Sequence, residues 1–201
     1  MQIGYALPVV LKRALDQPSD TALIEAIARG EKPAMRVLYA RHNVRVYRFV
    51  VRLTRDESQA EDLVSDVFLE VWRKASQFEA RSKVSTWLLG IARHRTYTAI
   101  WHRTDAQLDE HLAAAIEDPA DGPGSILEKK DRSAVIRHCL TKLSPAHREI
   151  IDLAYYHERS IEEVAQIIGI PPATVKTRTH YARKRMAALL KESGIDRACD
   201  A

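Results

Sequence analysis

The apolar residues of the chain recur at helical spacing. Between Ala60 and Ala75 they fall at i, i+1, i+4, i+5 and i+8, which is the stripe of an amphipathic helix. The stripe consists of Leu63, Val64, Val67, Phe68, Val71, Trp72 and Ala75. No segment shows the alternation typical of a half-buried strand. The pattern predicts an all-α protein.

Helix-capping residues predict where other helices begin and end. Ser19 or Asp20 can cap a first helix, and Gly30 lies near its end. In the C-terminal part, Ser144-Pro145 suits a helix start, since serine can accept a first-turn N–H and proline fits the first helical position. Ser160 and Glu163 match a capping box. After them, Gly169 can end a short helix and Pro171-Pro172 can start the next, which predicts a helix-turn-helix.

The last predicted helix has an apolar face and a basic face. The residues expected to face the core are Val175, Thr179, Ala182, Met186 and Leu189. The opposite face presents Lys176, Thr177, His180, Tyr181 and Lys184. A short capped helix followed by such a helix is the geometry of a major-groove reader, in which Lys176, Thr177 and His180 would touch base edges. The alternative is an ordinary solvated surface, but no acid interrupts residues 171–191.

Charge is distributed unevenly along the chain. Residues 104–128 hold seven acids and no Lys or Arg, together with two prolines and two glycines. Residues 81–103 hold five Lys or Arg and residues 171–191 hold six, with no acid in either stretch. We therefore predict two helical domains with basic surfaces, joined by a flexible acidic linker that a polyanionic partner would repel.

Two further patterns indicate binding surfaces. Asp62, Asp66 and Glu70 form an acidic i, i+4, i+8 row, which serves either solubility or docking on a basic protein. Within residues 81–103, basic side chains alternate with Tyr97 and Trp101, a mixture suited to single-stranded or melting DNA. Trp87 lies in the same stretch, but its apolar neighbours place it in the core.

Composition narrows the class of protein. With 201 residues, 46% hydrophobic and 29% charged, the chain can form real cores, and its net charge of +4 favours an anionic partner. No apolar run approaches the roughly 18 residues of a membrane span, and no signal peptide is evident. Cys139 and Cys199 suggest neither a disulfide framework nor a metal site, which favours the cytoplasm. No catalytic, cofactor or metal motif is present, so we expect neither an enzyme nor a cofactor.

Four segments together resemble a known family. They are Gln59-Ala-Glu-Asp-Leu-Val-Ser-Asp-Val-Phe-Leu-Glu-Val-Trp-Arg73, then Phe78 with Ser85-Thr-Trp-Leu-Leu-Gly-Ile-Ala-Arg93, then Leu143-Ser-Pro-Ala-His-Arg-Glu149, then Gly169-Ile-Pro-Pro-Ala-Thr-Val-Lys-Thr-Arg178. In order and spacing they resemble regions 2 and 4 of the extracytoplasmic-function (ECF) sigma factors of bacteria. The resemblance implies a region 2 at residues 20–103 and a region 4 at 126–190. Between and around these lie a linker at 104–125, an N-terminal extension at 1–19 and a tail at 191–201.

The resemblance also implies partners and roles. The protein would be a promoter-specificity subunit that docks on the clamp coiled coil and flap of core RNA polymerase, binds double-stranded and melted promoter DNA, and is held inactive by an anti-sigma factor. The residues implied in polymerase binding are Asp62, Asp66, Phe68, Leu69 and Glu70. Those implied at the −10 element are Arg81, Lys83, Arg93, His94, Arg95, Tyr97, Thr98 and Trp101. Those implied at the −35 element are Thr174, Lys176, Thr177, Arg178, His180, Tyr181 and Lys184.

Some positions depart from the family pattern. His94 stands where Asn is frequent and Thr98 where Asp is frequent, so the −10 preference is expected to differ from the common one. Thr177 replaces a usual Ser and Tyr181 a frequent Arg on the reading helix, while Ser65 replaces a frequent Gln in the docking helix. Two alternatives stay open at this point. One is an autonomous helix-turn-helix regulator, and the other is a sigma-like protein that titrates an anti-sigma factor.

Overall fold

A computed structural model describes residues 18–110 and 129–194, and the secondary structure of those residues is helical. Its α-helices are α1 (Asp20–Ala28), α2 (Lys32–Thr54), α3 (Glu57–Lys74), α4 (Val84–Glu110), α5 (Lys129–Thr141), α6 (Pro145–Ile151), α7 (Ile161–Ile168) and α8 (Pro172–Glu192). A 3₁₀ turn, Ala75–Gln77, follows α3, and a π-helix, Asp152–Tyr156, follows α6. The all-α prediction is confirmed.

Helices α1 to α4 form the N-terminal module around the apolar stripe of α3. Ser19 caps α1, since its hydroxyl accepts the N–H of Ala22 at 3.1 Å. Asp56 caps α3 in the same way, with its carboxylate accepting the N–H of Gln59 at 3.0 Å. Of the predicted stripe, all positions except the partly exposed Trp72 are buried. The longer α2 packs Leu38, Val46, Phe49 and Val50 against them.

The C-terminal module follows the capping residues that the sequence contains. Ser144 caps α6, and Ser160 with Glu163 forms a complete capping box at the start of α7. Gly169 ends α7 with φ +76°, a left-handed conformation that costs glycine little, and Pro172 is the first residue of α8. The helix-turn-helix prediction is therefore confirmed in its elements and in their ends.

Helix α8 lies mostly on a small second core, while Val175 near its start belongs to the larger core. Val175, Ala182 and Leu189 are buried, and Thr179 and Met186 are partly buried, as their spacing predicts. Cys139 of α5 is buried in this second core beside Leu143 and Ile151. Cys199 lies outside the described residues.

The two modules pack against each other, which the sequence pattern does not predict. Helix α4 of the N-terminal module lies against α7 of the C-terminal module, and one apolar core runs through both. The C-terminal residues in this shared core are Ile150, Leu153, Val164, Ala165, Ile167 and Val175. Burial of apolar surface therefore holds together two bodies that the sequence alone presents as separate.

Helix α4 continues to Glu110, so residues 104–110 of the predicted linker are helical. The rest of that linker, residues 111–125, lies outside the described part of the chain. Within the described part, none of the helices combines the length and the apolar character needed to cross a bilayer. The same residues contain no group of three or more His, Cys, Asp or Glu side chains placed to hold a metal ion.

The core of the N-terminal module can be tested at Leu38, which is fully buried in the middle of α2. We predict that Leu38→Ala lowers the free energy of unfolding by about 2–5 kcal/mol, because it leaves a cavity as well as losing apolar burial. Urea denaturation followed by circular dichroism measures this change. Val44→Ala is the matched control, since Val44 lies on the same helix and is 55% exposed. We expect that variant to change stability by less than about 0.5 kcal/mol.

Candidate protein and nucleic-acid interfaces

The acidic row on α3 is shorter than the sequence predicts. Asp62 and Asp66 are exposed, one helical turn apart. Glu70 is only 6% exposed, because Lys74 and Arg95 both donate hydrogen bonds to its carboxylate. The expectation that Glu70 shares an exposed acidic face is therefore wrong for this structure. The face that a basic protein could approach consists of Asp62 and Asp66.

Apolar side chains flank these two acids. Leu69 is 46% exposed on the same helix, whereas Phe68 is buried with its ring edge-on to Tyr39 at a centroid distance of 4.8 Å. Phe68 is thus not directly available to a partner, and its ring packs against that of the exposed Tyr39. Met35, Tyr39 and Trp72 line a groove of about 460 Å³ between α2 and α3. Sequence reasoning missed Met35 and Tyr39, because apolar residues on α2 give no local signal that separates a groove from the core; Met35 packs on the core edge and Tyr39 is 42% exposed.

Helix α4 presents one face to solvent that suits unpaired bases. His94, Thr98 and Trp101 are exposed at i, i+4 and i+7, and Trp101 is 74% exposed. An aromatic ring so exposed can stack on a base, which is worth roughly 1–3 kcal/mol per base. Trp87 instead packs on the core with its ring 5.0 Å from that of Phe78, as expected.

Arg93 and Tyr97 lie on another face of α4 and contact the C-terminal module. The Nε of Arg93 donates to Glu149 at 2.8 Å, and the Tyr97 hydroxyl donates to the same carboxylate at 3.3 Å. The guanidinium of Arg93 also lies over the Tyr97 ring, 4.7 Å from its centroid. Burial raises the pKa of the Tyr97 phenol above its ordinary value, and the Glu149 carboxylate raises it further. Both residues are thus occupied by a buried carboxylate.

Lys83 and Arg95, two further basic residues of this stretch, are also paired. Lys83 lies 3.1 Å from the carboxylate of Glu163, which also accepts a hydrogen bond from Thr86 at 3.1 Å. Burial alone would raise the pKa of Glu163, but the Ser160 N–H, Lys83 and Thr86 outweigh it and lower that pKa. Arg95 donates to Glu70. Acids from distant elements therefore neutralise a stretch that contains no acid of its own.

Arg81, in the loop before α4, forms an ion pair with a residue close to it in the sequence. Its Nε lies 2.8 Å from the carboxylate of Glu79, and both side chains are largely exposed. An exposed pair of this kind contributes little to stability and can exchange readily for a phosphate. The predicted −10 residues thus fall into two groups. Arg81, Lys83, His94, Thr98 and Trp101 lie at the surface, the first two in exposed ion pairs, while Arg93, Arg95 and Tyr97 are partly buried and paired.

The basic face of α8 is exposed, as predicted. Lys176, Thr177, His180, Tyr181 and Lys184 are all exposed, and Thr174 and Arg178 are partly so. Over residues 18–110 and 129–194, none of Lys176, Arg178 and Lys184 makes an ion pair with a carboxylate. The Thr177 hydroxyl donates to the Ala173 carbonyl at 3.1 Å, and the His180 and Tyr181 rings meet at 5.5 Å. The unpaired cations suit contacts with a phosphate backbone, and the polar groups and rings between them suit contacts with base edges.

Comparison with known proteins agrees with this geometry. The family model for sigma-70 region 2 matches residues 38–104, and the model for sigma-70 region 4 matches residues 133–186. The chain is 32% identical over 176 residues to the ECF RNA polymerase sigma factor SigK of Mycobacterium ulcerans, covering 86% of this chain and 94% of that protein. It is 30% identical over 180 residues to the ECF RNA polymerase sigma factor SigL of Mycobacterium tuberculosis, covering 88% and 99%.

A solved structure is similar over most of its length. It is the sigma factor RpoE in complex with the anti-sigma factor NepR from Bartonella quintana, with a TM-score of 0.61 and 28% sequence identity. The match covers 79% of this chain and 96% of that one. The similarity thus spans both modules and not the helix-turn-helix alone.

The hydrogen bonds to the Glu70 carboxylate predict how the stability of the fold depends on pH. Burial would raise the pKa of Glu70, but Lys74 and Arg95 lower it below the ordinary value of 4.5. The ionised form therefore stabilises the fold above pH 4.5, and the stabilisation is lost as pH falls through the lower folded pKa. We predict that Glu70→Gln costs about 1 kcal/mol at neutral pH. The difference in free energy of unfolding between Glu70→Gln and wild type, measured by urea denaturation, should shrink below pH 4.5.

Glu61→Gln is the control for that experiment, since Glu61 is exposed on the same helix. It should change stability by less than about 0.5 kcal/mol at every pH. A Glu70→Gln difference that stays constant through the acid range would contradict the role given to the Lys74 and Arg95 pairs.

Proposed function

The chain belongs to the ECF family of RNA polymerase sigma factors, and from that premise we propose which of its surfaces meet polymerase, promoter DNA and an inhibitor. A sigma factor directs promoter-specific initiation of transcription and catalyses no reaction itself. The observation that carries the assignment of surfaces is the exposed basic face of α8, whose cations have no carboxylate partner among the described residues. The proposed regions are residues 20–103 and 126–190.

The α3 face is proposed to dock on the clamp coiled coil of core RNA polymerase. Asp62 and Asp66 supply the charge that a basic partner recognises, and Leu69 supplies exposed apolar area beside them. Phe68 and Glu70 act from beneath this face. Phe68 supports Tyr39, while Glu70 positions Lys74 and Arg95.

Helix α8 is proposed to read the −35 element in the major groove. Its apolar face is buried on the second core, so the helix is held rigidly with the basic face outward. Lys184 and Arg178 are assigned to phosphates, and Lys176, Thr177 and His180 to base edges. Thr174 and Tyr181 border this face.

The −10 element is assigned to α4 and the loop before it. Trp101 can stack on an unpaired base, and His94 and Thr98 lie on the same exposed face. Arg93 and Tyr97 would join them only after they leave Glu149. Lys83 is largely exposed and can exchange its pair with Glu163 for a phosphate, as Arg81 can. We infer that the two modules separate when the protein engages promoter DNA on polymerase.

An anti-sigma factor is proposed as the third partner. The solved structure of RpoE from Bartonella quintana contains the anti-sigma factor NepR, and it matches both modules of this chain. A partner that stabilises the packed modules would keep Arg93 and Tyr97 on Glu149 and so prevent their use at the −10 element.

Run-off transcription with core RNA polymerase on genomic fragments, with mapped start sites, tests these assignments. We expect Lys176→Ala to relax promoter choice, at a cost of about 1–3 kcal/mol in promoter affinity, because a base-edge contact is lost. We expect Asp66→Ala to weaken affinity for core polymerase and leave promoter choice unchanged, because it removes charge from the docking face only.

Matched controls lie on the same two helices. Lys191→Ala removes an exposed lysine from the end of α8, and Glu61→Ala removes an exposed acid from the other side of α3. Both should transcribe like wild type. Wild-type protein that gives no polymerase-dependent transcripts would reject the proposal. Tight specific binding to promoter fragments in gel shifts without polymerase would favour an autonomous regulator.

The packed arrangement makes a separate prediction. Glu149→Gln removes the charge that holds Arg93 and Tyr97, so the modules should separate more readily. Small-angle X-ray scattering should show a larger radius of gyration than wild type, and single-stranded DNA should bind several-fold more tightly. Glu25→Gln, an exposed position on α1 away from the junction, is the control and should leave both quantities unchanged. An unaltered radius for Glu149→Gln would show that this pair does not hold the modules together.

A further inference from the structure

A cationic pocket lies at the junction of the two modules, away from the three surfaces assigned above. It has a volume of about 410 Å³ and is lined on one side by Arg41, Arg45, Arg48 and Arg52 of α2. Tyr156 and His157, which end the π-helix, line the other side. The four arginines follow i, i+4, i+7 and i+11, so a single face of α2 carries them.

Charge in the pocket is only partly balanced. Asp20 pairs with Arg41 at 2.5 Å and contacts His42 at 2.7 Å, and Asp152 pairs with Arg52. Arg45 and Arg48 are exposed and make no hydrogen bond or ion pair with any residue in the described ranges. Two carboxylates therefore face four guanidinium groups, which leaves a surplus of positive charge on Arg45 and Arg48. Like charges held in this way attract an anion.

A buried histidine provides the second, independent indication of a ligand. His157 is only 3% exposed, and neither of its ring nitrogens has a hydrogen-bond partner among the described residues. Its Nε2 lies 3.4 Å from Oδ2 of Asp152, and its ring packs edge-on against Phe49 at 5.4 Å. A buried polar group without a partner is costly, and an anion in the pocket that accepts a hydrogen bond from the ring would remove that cost.

We propose that this pocket binds a phosphate group of a small phosphorylated molecule, such as pyrophosphate or a nucleoside triphosphate. Guanidinium groups bind phosphate oxygens in bidentate fashion, and Arg45 and Arg48 are the two that have no competing partner. The volume lies within the range of pockets that hold small ligands, roughly 300–1,000 Å³.

The shape of the site favours a small ligand over the phosphate backbone of DNA. A duplex phosphate can reach Arg45 and Arg48 at the surface, whereas a small phosphate can also enter the pocket that His157 and Tyr156 close on one side. The pocket also exists only while α2 and the π-helix are packed together, whereas the proposed promoter contacts require the modules to separate.

A ligand in this pocket would contact both modules at once. Because it binds the packed arrangement and has no complete site in the separated one, it would stabilise the packed arrangement by mass action. Its effect on transcription, a shift away from the polymerase-bound form, rests on the proposed function. The binding itself does not, so the two can fail separately.

Isothermal titration calorimetry of the purified full chain, without polymerase, tests the binding. The probes are inorganic pyrophosphate and GTP. We expect each to bind with one-to-one stoichiometry, and Arg45→Gln/Arg48→Gln to weaken both by about tenfold or more through loss of charge-assisted hydrogen bonds. His157→Phe keeps the packing on Phe49 and should weaken binding several-fold.

The control is Lys32→Gln/Arg36→Gln, which removes the same charge from exposed positions of α2 outside the pocket. It should bind both probes within about twofold of wild type. Absence of saturable binding to either probe, or equal losses in the two double variants, would overturn the proposal. So would fluorescence anisotropy in which Arg45→Gln/Arg48→Gln impairs only the binding of a random-sequence DNA duplex, since that result would assign the arginines to the DNA backbone.

Discussion

Three carboxylates of the C-terminal module, two of them buried, hold it against the N-terminal module. Glu149 accepts hydrogen bonds from Arg93 and Tyr97. Glu163 accepts a hydrogen bond from Thr86 and forms an ion pair with Lys83. Asp152 accepts a hydrogen bond from Arg52. Glu149 and Asp152 are almost fully removed from water, so loss of a partner would leave an uncompensated charge, at a cost of roughly 3–5 kcal/mol. Glu163 is partly exposed and Lys83 largely so, and that pair contributes less. The apolar contact between α4 and α7 favours packing of the two modules, and these pairs fix the position in which they pack.

The same pairs place the packed form and the DNA-bound form in competition. Arg93 and Tyr97 cannot contact Glu149 and a nucleic acid at once. In the proposed function, phosphates and unpaired bases therefore replace Glu149 as their partner, and polymerase stabilises the separated modules. Partners that bind only the packed form act in the opposite direction. The junction of the modules is thus where inhibition can be exerted with least interference from the α8 reading face, which stays exposed in the packed form.

Much of the fold could be predicted because its signals are local. The stripe of α3, the Ser160–Glu163 capping box and the left-handed Gly169 each depend on residues within one or two helical turns. The reading face of α8 could be predicted for the same reason, since a helix with one apolar side must expose the other. The exposure of the residues assigned to the −10 and docking surfaces was predicted less well. Phe68 and Glu70 are buried because α2 and α4 cover them, and nothing in the sequence of α3 indicates those neighbours.

The sequence by itself determined the helices, their ends, the membership of the family and the basic face of α8, since periodicity, capping and motif spacing are properties of neighbouring residues. Only the tertiary structure decided which charges remain available. Residues 81–103 contain no acid, yet Glu70, Glu149 and Glu163 neutralise Arg95, Arg93 and Lys83 from positions 25, 56 and 80 residues away. Pairing between charges depends on distance in space, and packing of the two modules sets those distances.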